Sequence, residues 1–209
     1  MRDNSVPGTS AAVLAGGLSS RLGFPKAQLR LGTGRTLLED SVRKLRRISD
    51  DTFVVANDST FDVPGVRREP DRIEGAAALG GIHAALVAAR YDRVIVTGCD
   101  MPFLNVALLE MLKAIDPLAD VVVPRIDGYP EPLHAIYRRS CLPAIEARIF
   151  ARRLRIIGFY PMVRVCYVDE PELRTIDTNL RSFRNCNTPQ LVRQTAIDID
   201  REGLESLHE

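Results

Sequence analysis

The chain has 209 residues, enough for one domain of ordinary size. Hydrophobic residues make up 45% and charged residues 26%, the balance of a globular protein with enough apolar side chains for a core. The 28 basic and 27 acidic residues leave a net charge of +1, which excludes a global attraction to nucleic acid or to an anionic membrane. Tryptophan is absent, which also argues against a base-stacking platform. Any phosphate-bearing ligand must therefore be held by local groups.

Cysteine spacing and hydropathy indicate the compartment. The cysteines are widely separated and form no C-x-x-C pair, so neither a zinc site nor a disulfide framework is predicted. Scattered thiols fit a reducing environment. The first ten residues lack the apolar core of a secretory signal, and no apolar run approaches the ~18 residues of a membrane span. We therefore expect a cytoplasmic protein that has no membrane or nucleic-acid partner.

Short β-rich runs alternate with helical patterns between a polar leader (1–10) and a polar tail (198–209), which predicts one domain over 11–197. The predicted strands are 11–14, 52–56, 93–97, 120–123, 133–137 and 163–168. The predicted helices are a segment capped by Thr36 with Glu39, then 81–90, 105–115, 142–153 and a last one opened by Thr188-Pro189. This alternation predicts an α/β protein with three layers: a mostly parallel sheet, helices on both faces, and a small antiparallel element after the turn at Asp127-Gly128.

In such sheets ligands bind beyond the carboxyl ends of the strands, and the first strand leads into a glycine-rich segment, Leu14 to Lys26. Gly16 and Gly17 let the backbone turn sharply and expose N–H groups to an anion. Arg21 and Lys26 add positive charge. The spacing matches neither a Walker A loop nor the dinucleotide fingerprint. The segment therefore predicts a triphosphate cradle, against the alternative of a strand–helix turn with incidental basic residues.

Acidic and amide side chains follow the later strands. Asp100 stands at the mouth of the third predicted strand, where a carboxylate can hold Mg²⁺ on a triphosphate; a turn or capping aspartate is the alternative. Asn57 follows the second strand and could hydrogen-bond a nucleoside. Asp71, in the loop before the next helix, could bind a sugar hydroxyl or a base edge. Both also fit ordinary loop residues when taken alone.

Together these segments resemble the molybdenum cofactor guanylyltransferases, within the wider nucleotidyltransferase superfamily. The resemblance covers about 11–191, and its landmarks are LAGGLSSRLGFPKAQL (14–29), ALGGIHAAL (78–86), VTGCDMPFL (96–104), EPLHAIY (131–137) and FRNCNTP (183–189). It implies a three-layer, Rossmann-like nucleotidyltransferase fold. It also implies a Mg²⁺-dependent reaction in which GMP from GTP is joined to molybdenum-molybdopterin, which a protein carrier could deliver, and pyrophosphate is released.

The resemblance also implies roles for individual residues. Nucleotide-binding positions are implied for Leu14, Ala15, Gly16, Gly17, Lys26, Asn57, Asp71 and Asp100. Catalytic positions are implied for Arg21, Lys26 and Asp100, of which Asp100 is also the metal-binding one. The attacking phosphate is already an anion, so the mechanism needs alignment and charge neutralisation rather than a covalent enzyme nucleophile.

Some features depart from the family pattern or lie outside it. Ala77-Ala78 stand where many relatives carry Gly-Pro, which alters the backbone freedom of a loop near the nucleotide. His134 could face the pterin, although a structural histidine is the alternative, as it is for His83. The rival functions are a cytidylyltransferase or sugar-phosphate nucleotidyltransferase of the same superfamily, and a catalytically silent nucleotide-binding module.

Overall fold

The computed structural model describes residues 8–16, 26–30, 34–186 and 189–205. In these residues the buried, valine- and isoleucine-rich runs form an eight-stranded sheet. Its strands are β1 (Thr9–Leu14), β2 (Asp51–Val55), β3 (Arg67–Glu69), β4 (Arg93–Gly98), β5 (Val121–Ile126), β6 (Tyr129–Pro130), β7 (His134–Arg138) and β8 (Val165–Asp169).

The sheet is mixed, with the order β3-β2-β1-β4-β7-β5-β6, and β8 pairs with β5. The pairs β2–β3, β1–β2, β1–β4 and β5–β8 are parallel. β7 is antiparallel to both of its neighbours, β4 and β5. The start of β7 therefore lies at the same edge of the sheet as the carboxyl ends of β1, β2 and β4. The predicted parallel sheet with a small antiparallel element is confirmed.

Helices cover both faces of this sheet, as predicted. They are α1 (Leu37–Leu45), α2 (Ala77–Ala88), α3 (Val106–Ala114), α4 (Leu142–Phe150), α5 (Glu170–Leu173) and α6 (Pro189–Glu205). Short 3-10 turns cover Lys26–Gln28, Ser59–Phe61, Arg139–Cys141, Ile156–Met162 and Arg181–Phe183. Side chains of α1 and α3 pack on one face of the sheet, and those of α2 and α4 pack on the other.

Two predicted helix starts are confirmed by their caps. The Thr36 hydroxyl accepts the Glu39 N–H at 3.1 Å, and the Glu39 carboxylate accepts the Thr36 N–H at 2.7 Å, completing a capping box. The Asn105 side chain accepts two N–H groups of the first turn of α3. These caps satisfy donors that a helix start otherwise leaves without partners.

Other boundaries differ from the prediction. α2 begins at Ala77, earlier than the predicted residue 81, and its burial on nearly all sides removes the amphipathic pattern that marks a helix start. α4 ends at Phe150 rather than Arg153, because Arg152 takes a left-handed conformation (φ 54°) that ends the helix. β3 was not predicted, because its sequence Arg-Arg-Glu lacks apolar residues.

At the edge of the sheet opposite the carboxyl ends of β1, β2 and β4, the buried carboxylate of Asp51 joins three elements. It accepts the Ser10 hydroxyl at 2.7 Å, the Arg90 N–H at 3.0 Å and the Arg67 guanidinium at 2.9 Å. Burial by itself raises the pKa of this carboxyl, but the hydrogen bonds from Arg90, Ser10 and Arg67 outweigh it, and the pKa is lowered. The network ties β1 and β2 to the end of α2.

We expect Asp51→Ala to lower the free energy of unfolding by about 3 kcal/mol, because it leaves buried donors without an acceptor. The matched control is Asp50→Ala: Asp50 is the neighbouring exposed aspartate, and its loss should change stability by less than ~0.5 kcal/mol. Urea unfolding at pH 7 measures both. Equal effects of the two substitutions would contradict the importance assigned to the network.

Candidate active site at the carboxyl ends of the strands

The candidate site is built on the ends of adjacent parallel strands. The Ala15 N–H donates to the Val55 carbonyl at 3.0 Å, and the Cys99 N–H donates to the Leu14 carbonyl at 3.2 Å. The segments that follow β1, β2 and β4 therefore leave the sheet side by side. This is the position at which open α/β sheets bind ligands.

The structure brings Asn57 and Asp71 together, although 14 residues separate them. The Asp71 N–H donates to the Asn57 side-chain oxygen at 2.7 Å. β3 makes this possible, because it returns the chain beside β2, where the Ala56 N–H donates to the Glu69 carbonyl at 3.0 Å. With its oxygen held by Asp71, Asn57 has its amide NH₂ group left to donate to a ligand.

The Asp71 carboxylate rests on α2 where that helix lacks a side chain. A Cβ on Gly80 would lie 2.9 and 3.0 Å from the two carboxylate oxygens, and 2.7 Å from the Ala76 Cβ. Burial raises the pKa of Asp71, while N–H groups of Ile73 and Arg72 oppose the rise. Gly80 therefore provides the space that the half-buried carboxylate occupies.

Ala77, which departs from the family pattern, has a backbone conformation that residues with a Cβ rarely adopt. Ala77, at the start of α2, has a φ of 51°, in the left-handed region. A residue with a Cβ adopts this conformation at a cost of about 1–2 kcal/mol, whereas glycine does so freely. Ala77 therefore holds a left-handed backbone conformation that glycine would adopt freely, and the start of α2 carries local strain.

Asp100 follows β4 at the same edge. A Cβ on Gly98 would lie 2.8 Å from an Asp100 carboxylate oxygen, so Gly98 lets this side chain fold close to the backbone. The Asp100 carbonyl accepts the Cys186 N–H at 2.9 Å, which attaches the loop to the segment before α6. Among the described residues no group of three or more metal-ligating side chains is present. Asp100 could contribute one carboxylate ligand to a cation such as Mg²⁺, which takes one or two carboxylates and its remaining ligands from phosphate and water.

The glycine-rich segment lies only partly within the described residues. Leu14, Ala15 and Gly16 lie at the end of β1, as predicted, and Gly16 is exposed. The Lys26 backbone begins a 3-10 turn. Gly17, Arg21 and the Lys26 side chain lie outside the described part of the chain, so the predicted triphosphate cradle stays a prediction.

A basic aromatic cluster beside the Asp100 loop was missed by the sequence analysis. The guanidinium carbon of Arg181 lies 4.1 Å from the centre of the Phe103 ring, and that of Arg184 lies 5.8 Å from it. Both arginines belong to the segment that also binds Asp100 through Cys186. The signal for this cluster in the sequence is the arginine-rich run before the Asn-Cys-Asn motif.

The two histidines considered from sequence are both buried. His134 is fully buried at the start of β7, in agreement with the alternative of a structural histidine. Its ring nitrogen Nδ1 lies 3.5 Å from the Met101 sulfur. His83, on α2, contacts Glu146 of α4 at 3.1 Å, in agreement with a structural histidine.

An open α/β sheet with polar and acidic side chains on adjacent strand ends is a ligand-binding arrangement, and the similarity to known proteins places the chain in the class of nucleotidyltransferases. The chain belongs to the family described as the MobA-like NTP transferase domain, whose model matches residues 11–159. It is 36% identical over 185 residues to a probable molybdenum cofactor guanylyltransferase of Pelotomaculum thermopropionicum, covering 86% of this chain and 88% of that protein. It is 35% identical over 181 residues to a molybdenum cofactor guanylyltransferase of Desulfosudis oleivorans, covering 85% of this chain and 89% of that protein.

Solved structures agree with this assignment. Molybdopterin-guanine dinucleotide biosynthesis protein A from Archaeoglobus fulgidus superposes with a TM-score of 0.80 at 29% identity, covering 92% of this chain and 99% of that one. A 2-C-methyl-D-erythritol 4-phosphate cytidylyltransferase from Thermus thermophilus superposes with a TM-score of 0.63 at 18% identity, covering 89% and 96%, which shows the shared fold. The resemblance and the fold class predicted from sequence are confirmed. No helix in the described residues is long and apolar enough to cross a membrane.

We expect Gly80→Ala to weaken nucleotide binding, because the new Cβ would displace the Asp71 carboxylate. The Kd for GTP should rise about tenfold, the effect of losing ~1.4 kcal/mol. Gly81→Ala is the matched control: it adds the same methyl one residue later in α2, against the flexible end of Leu14 at 3.1 Å. Calorimetric titration of both variants tests this expectation, and equal affinities would exclude a role for the space at Gly80.

We also expect His134 to make stability depend on pH. Burial lowers the pKa of this imidazole from 6.5 to about 4, although the Asp177 carboxylate opposes the shift. Below pH 6.5 the imidazole becomes protonated in the unfolded chain but stays neutral in the folded chain, so the free energy of unfolding falls as the pH drops toward 4. The loss of stability is about 1.4 kcal/mol for each pH unit and reaches ~3 kcal/mol. Urea unfolding of wild type and His134→Asn between pH 7 and 4 measures it; parallel curves would refute the assignment.

Proposed function

We propose that the chain transfers GMP from GTP to molybdenum-molybdopterin, forming the guanine dinucleotide form of the cofactor and releasing pyrophosphate. The observation that carries this proposal is the similarity, over 85–86% of the chain, to proteins named for that activity. The geometry supports it, because Asn57, Asp71 and Asp100 lie on adjacent loops at the ligand-binding edge of the sheet.

The reaction exchanges one phosphoanhydride bond for another. A terminal phosphate oxygen of molybdopterin forms a bond to the α-phosphorus of GTP, and the bond from that phosphorus to the bridging oxygen of the β-phosphate breaks. Pyrophosphate leaves with the electron pair. The attacking oxygen is already anionic, so the protein is required to align the two phosphates and to neutralise charge rather than to remove a proton.

We assign the nucleotide to the β1–β2 side of the site. Leu14, Ala15, Gly16 and Gly17 would present backbone groups to it. Asn57 would donate its amide NH₂ group, since its oxygen is held by the Asp71 N–H. Asp71 would accept a hydroxyl or an N–H group of the nucleoside through the carboxylate that Gly80 accommodates.

Charge neutralisation falls to residues on two loops. Lys26 and Arg21 would contact the phosphates as they become pyrophosphate. Asp100 would hold Mg²⁺, which supplies positive charge to the phosphate oxygens when bound. The backbone of Asp100 is already fixed by the Cys186 N–H, so its carboxylate needs little reorganisation to bind a cation.

The acceptor would approach from the β7 side, where residues 131–134 reach the same edge of the sheet as Asp100. Arg181 would provide positive charge beside that approach; Arg184 lies near it too, but its guanidinium is paired with Asp198 at 3.1 Å. We propose a cytoplasmic location, since the four cysteines are free thiols, which fits a reducing compartment.

The test measures pyrophosphate release and product mass with molybdenum-molybdopterin, Mg²⁺ and each of GTP, CTP and ATP. We expect turnover with GTP only. Asp100→Ala should remain folded and lose at least ~100-fold in kcat/KM, the effect of removing one preorganised electrostatic group. Asp92→Ala, the control, removes an exposed carboxylate at the far end of β4 and should keep wild-type turnover.

Each alternative outcome identifies a rival. Turnover with CTP in place of GTP would make the chain a cytidylyltransferase. Nucleotide binding without turnover would make it a silent binding module. Near wild-type turnover of Asp100→Ala in Mg²⁺ would remove Asp100 from the mechanism.

A further inference from the structure

The Asp100 loop is supported from below by a buried polar side chain that the proposed chemistry does not use. We propose that His134 is a positioning residue, which holds the Asp100 loop in register with the segment 181–186. The inference rests on the proposed function, because the role of Asp100 belongs to that proposal.

One side of the imidazole contacts the loop itself. His134 Nδ1 lies 3.5 Å from the sulfur of Met101, the residue directly after Asp100. Met101 is buried, and a thioether accepts hydrogen bonds only weakly. The contact therefore fixes the position of the Met101 side chain more than it adds to the stability of the fold. It holds the backbone on the carboxyl-terminal side of Asp100.

The other side of the imidazole contacts the segment before α6. The centres of the His134 and Phe183 rings are 4.8 Å apart, with an angle of 51° between the planes. Three residues after Phe183, the Cys186 N–H donates to the Asp100 carbonyl at 2.9 Å. His134 therefore contacts both the Asp100 loop and the segment 181–186, and these two are also joined directly through the Asp100 carbonyl. Each of the three parts contacts the other two.

Packing alone does not account for a histidine here. Nε2 of His134 and the hydroxyl of Thr97, its partner residue across β4 and β7, are both buried without a hydrogen-bond partner in the described residues. Such groups destabilise the folded state. Leucine would fill similar space at this position without that cost, as the apolar Ile136 does two residues along β7 on the same face.

The charge state of the ring also suits this role. Burial lowers the pKa of His134 to about 4, so the imidazole is neutral near pH 7. A neutral ring can donate one N–H group to Met101 without placing positive charge behind a carboxylate that is to bind a cation.

The test compares two amides that place a donor at different ring positions. The Asn amide nitrogen lies near the position of Nδ1 and can reach Met101, whereas the Gln amide nitrogen lies near that of Nε2. The probe is Mn²⁺ titrated against the GTP-loaded protein by electron paramagnetic resonance, with kcat and KM for GMP transfer measured in parallel.

We expect His134→Gln to weaken Mn²⁺ binding and lower kcat by about tenfold each, with the KM for GTP within twofold of wild type. His134→Asn should lose no more than about threefold. Ile136→Val is the control for loss of core packing on β7, and it should lower the thermal midpoint while leaving Mn²⁺ affinity unchanged. Equal losses in the Asn and Gln variants would overturn the proposal, as would variants indistinguishable from Ile136→Val.

Met101→Leu tests the same contact by changing the residue that accepts from His134. It tests the positioning role of His134 even if the His134 variants do not fold. It removes the sulfur at nearly constant volume, and should weaken Mn²⁺ binding about threefold or more; unchanged affinity would overturn the proposal. If the wild-type chain binds Mn²⁺ and GTP but does not transfer GMP, only the proposed function is refuted. The positioning role of His134 can still be tested then, because Mn²⁺ affinity is compared between wild type and variants without turnover.

Discussion

The parallel pairing of β1 with β2 and β4 is the constraint on which the site depends. It places three strand ends at one edge, and the bonds from Ala15 to Val55 and from Cys99 to Leu14 keep the loops adjacent as they leave the sheet. β7 adds to this because it runs antiparallel, so that its first residue, His134, lies at the same edge. The loops that follow β1, β2 and β4 and the start of β7 are therefore positioned by backbone hydrogen bonds before any side chain acts.

The sequence predicted the parts of the fold that depend on local patterns. Buried strands such as β4 were identified by valine and isoleucine, and α1 and α3 by the caps of Thr36 and Asn105. β3 and the start of α2 were not identified. β3 is held by pairing with β2 rather than by its own composition, and α2 is buried on nearly all sides, so neither carries the periodicity on which prediction relies.

The sequence predicted which of the site residues stand at the candidate site's edge of the sheet, but not the contacts between them. Asp100 was identified because it follows a strand directly. The contact between Asn57 and Asp71 required β3 to return the chain beside β2, and the contact of His134 with Met101 required β7 to lie next to β4. Such contacts join residues far apart in the chain, and no local pattern encodes them. The roles of all the predicted site residues, and the division into leader, domain and tail, stay predictions.

The bond between Asn57 and Asp71 has a consequence for how this protein could change its nucleotide preference. The two positions proposed for the nucleoside are connected through one amide oxygen, so a substitution at Asn57 that removes this oxygen also releases the backbone of Asp71. The coupling runs in one direction, because a new side chain at Asp71 leaves the backbone N–H that Asn57 accepts in place. The Asp71 side chain is therefore free to vary without disturbing Asn57, whereas a replacement of Asn57 must keep an acceptor for the Asp71 N–H, as aspartate would.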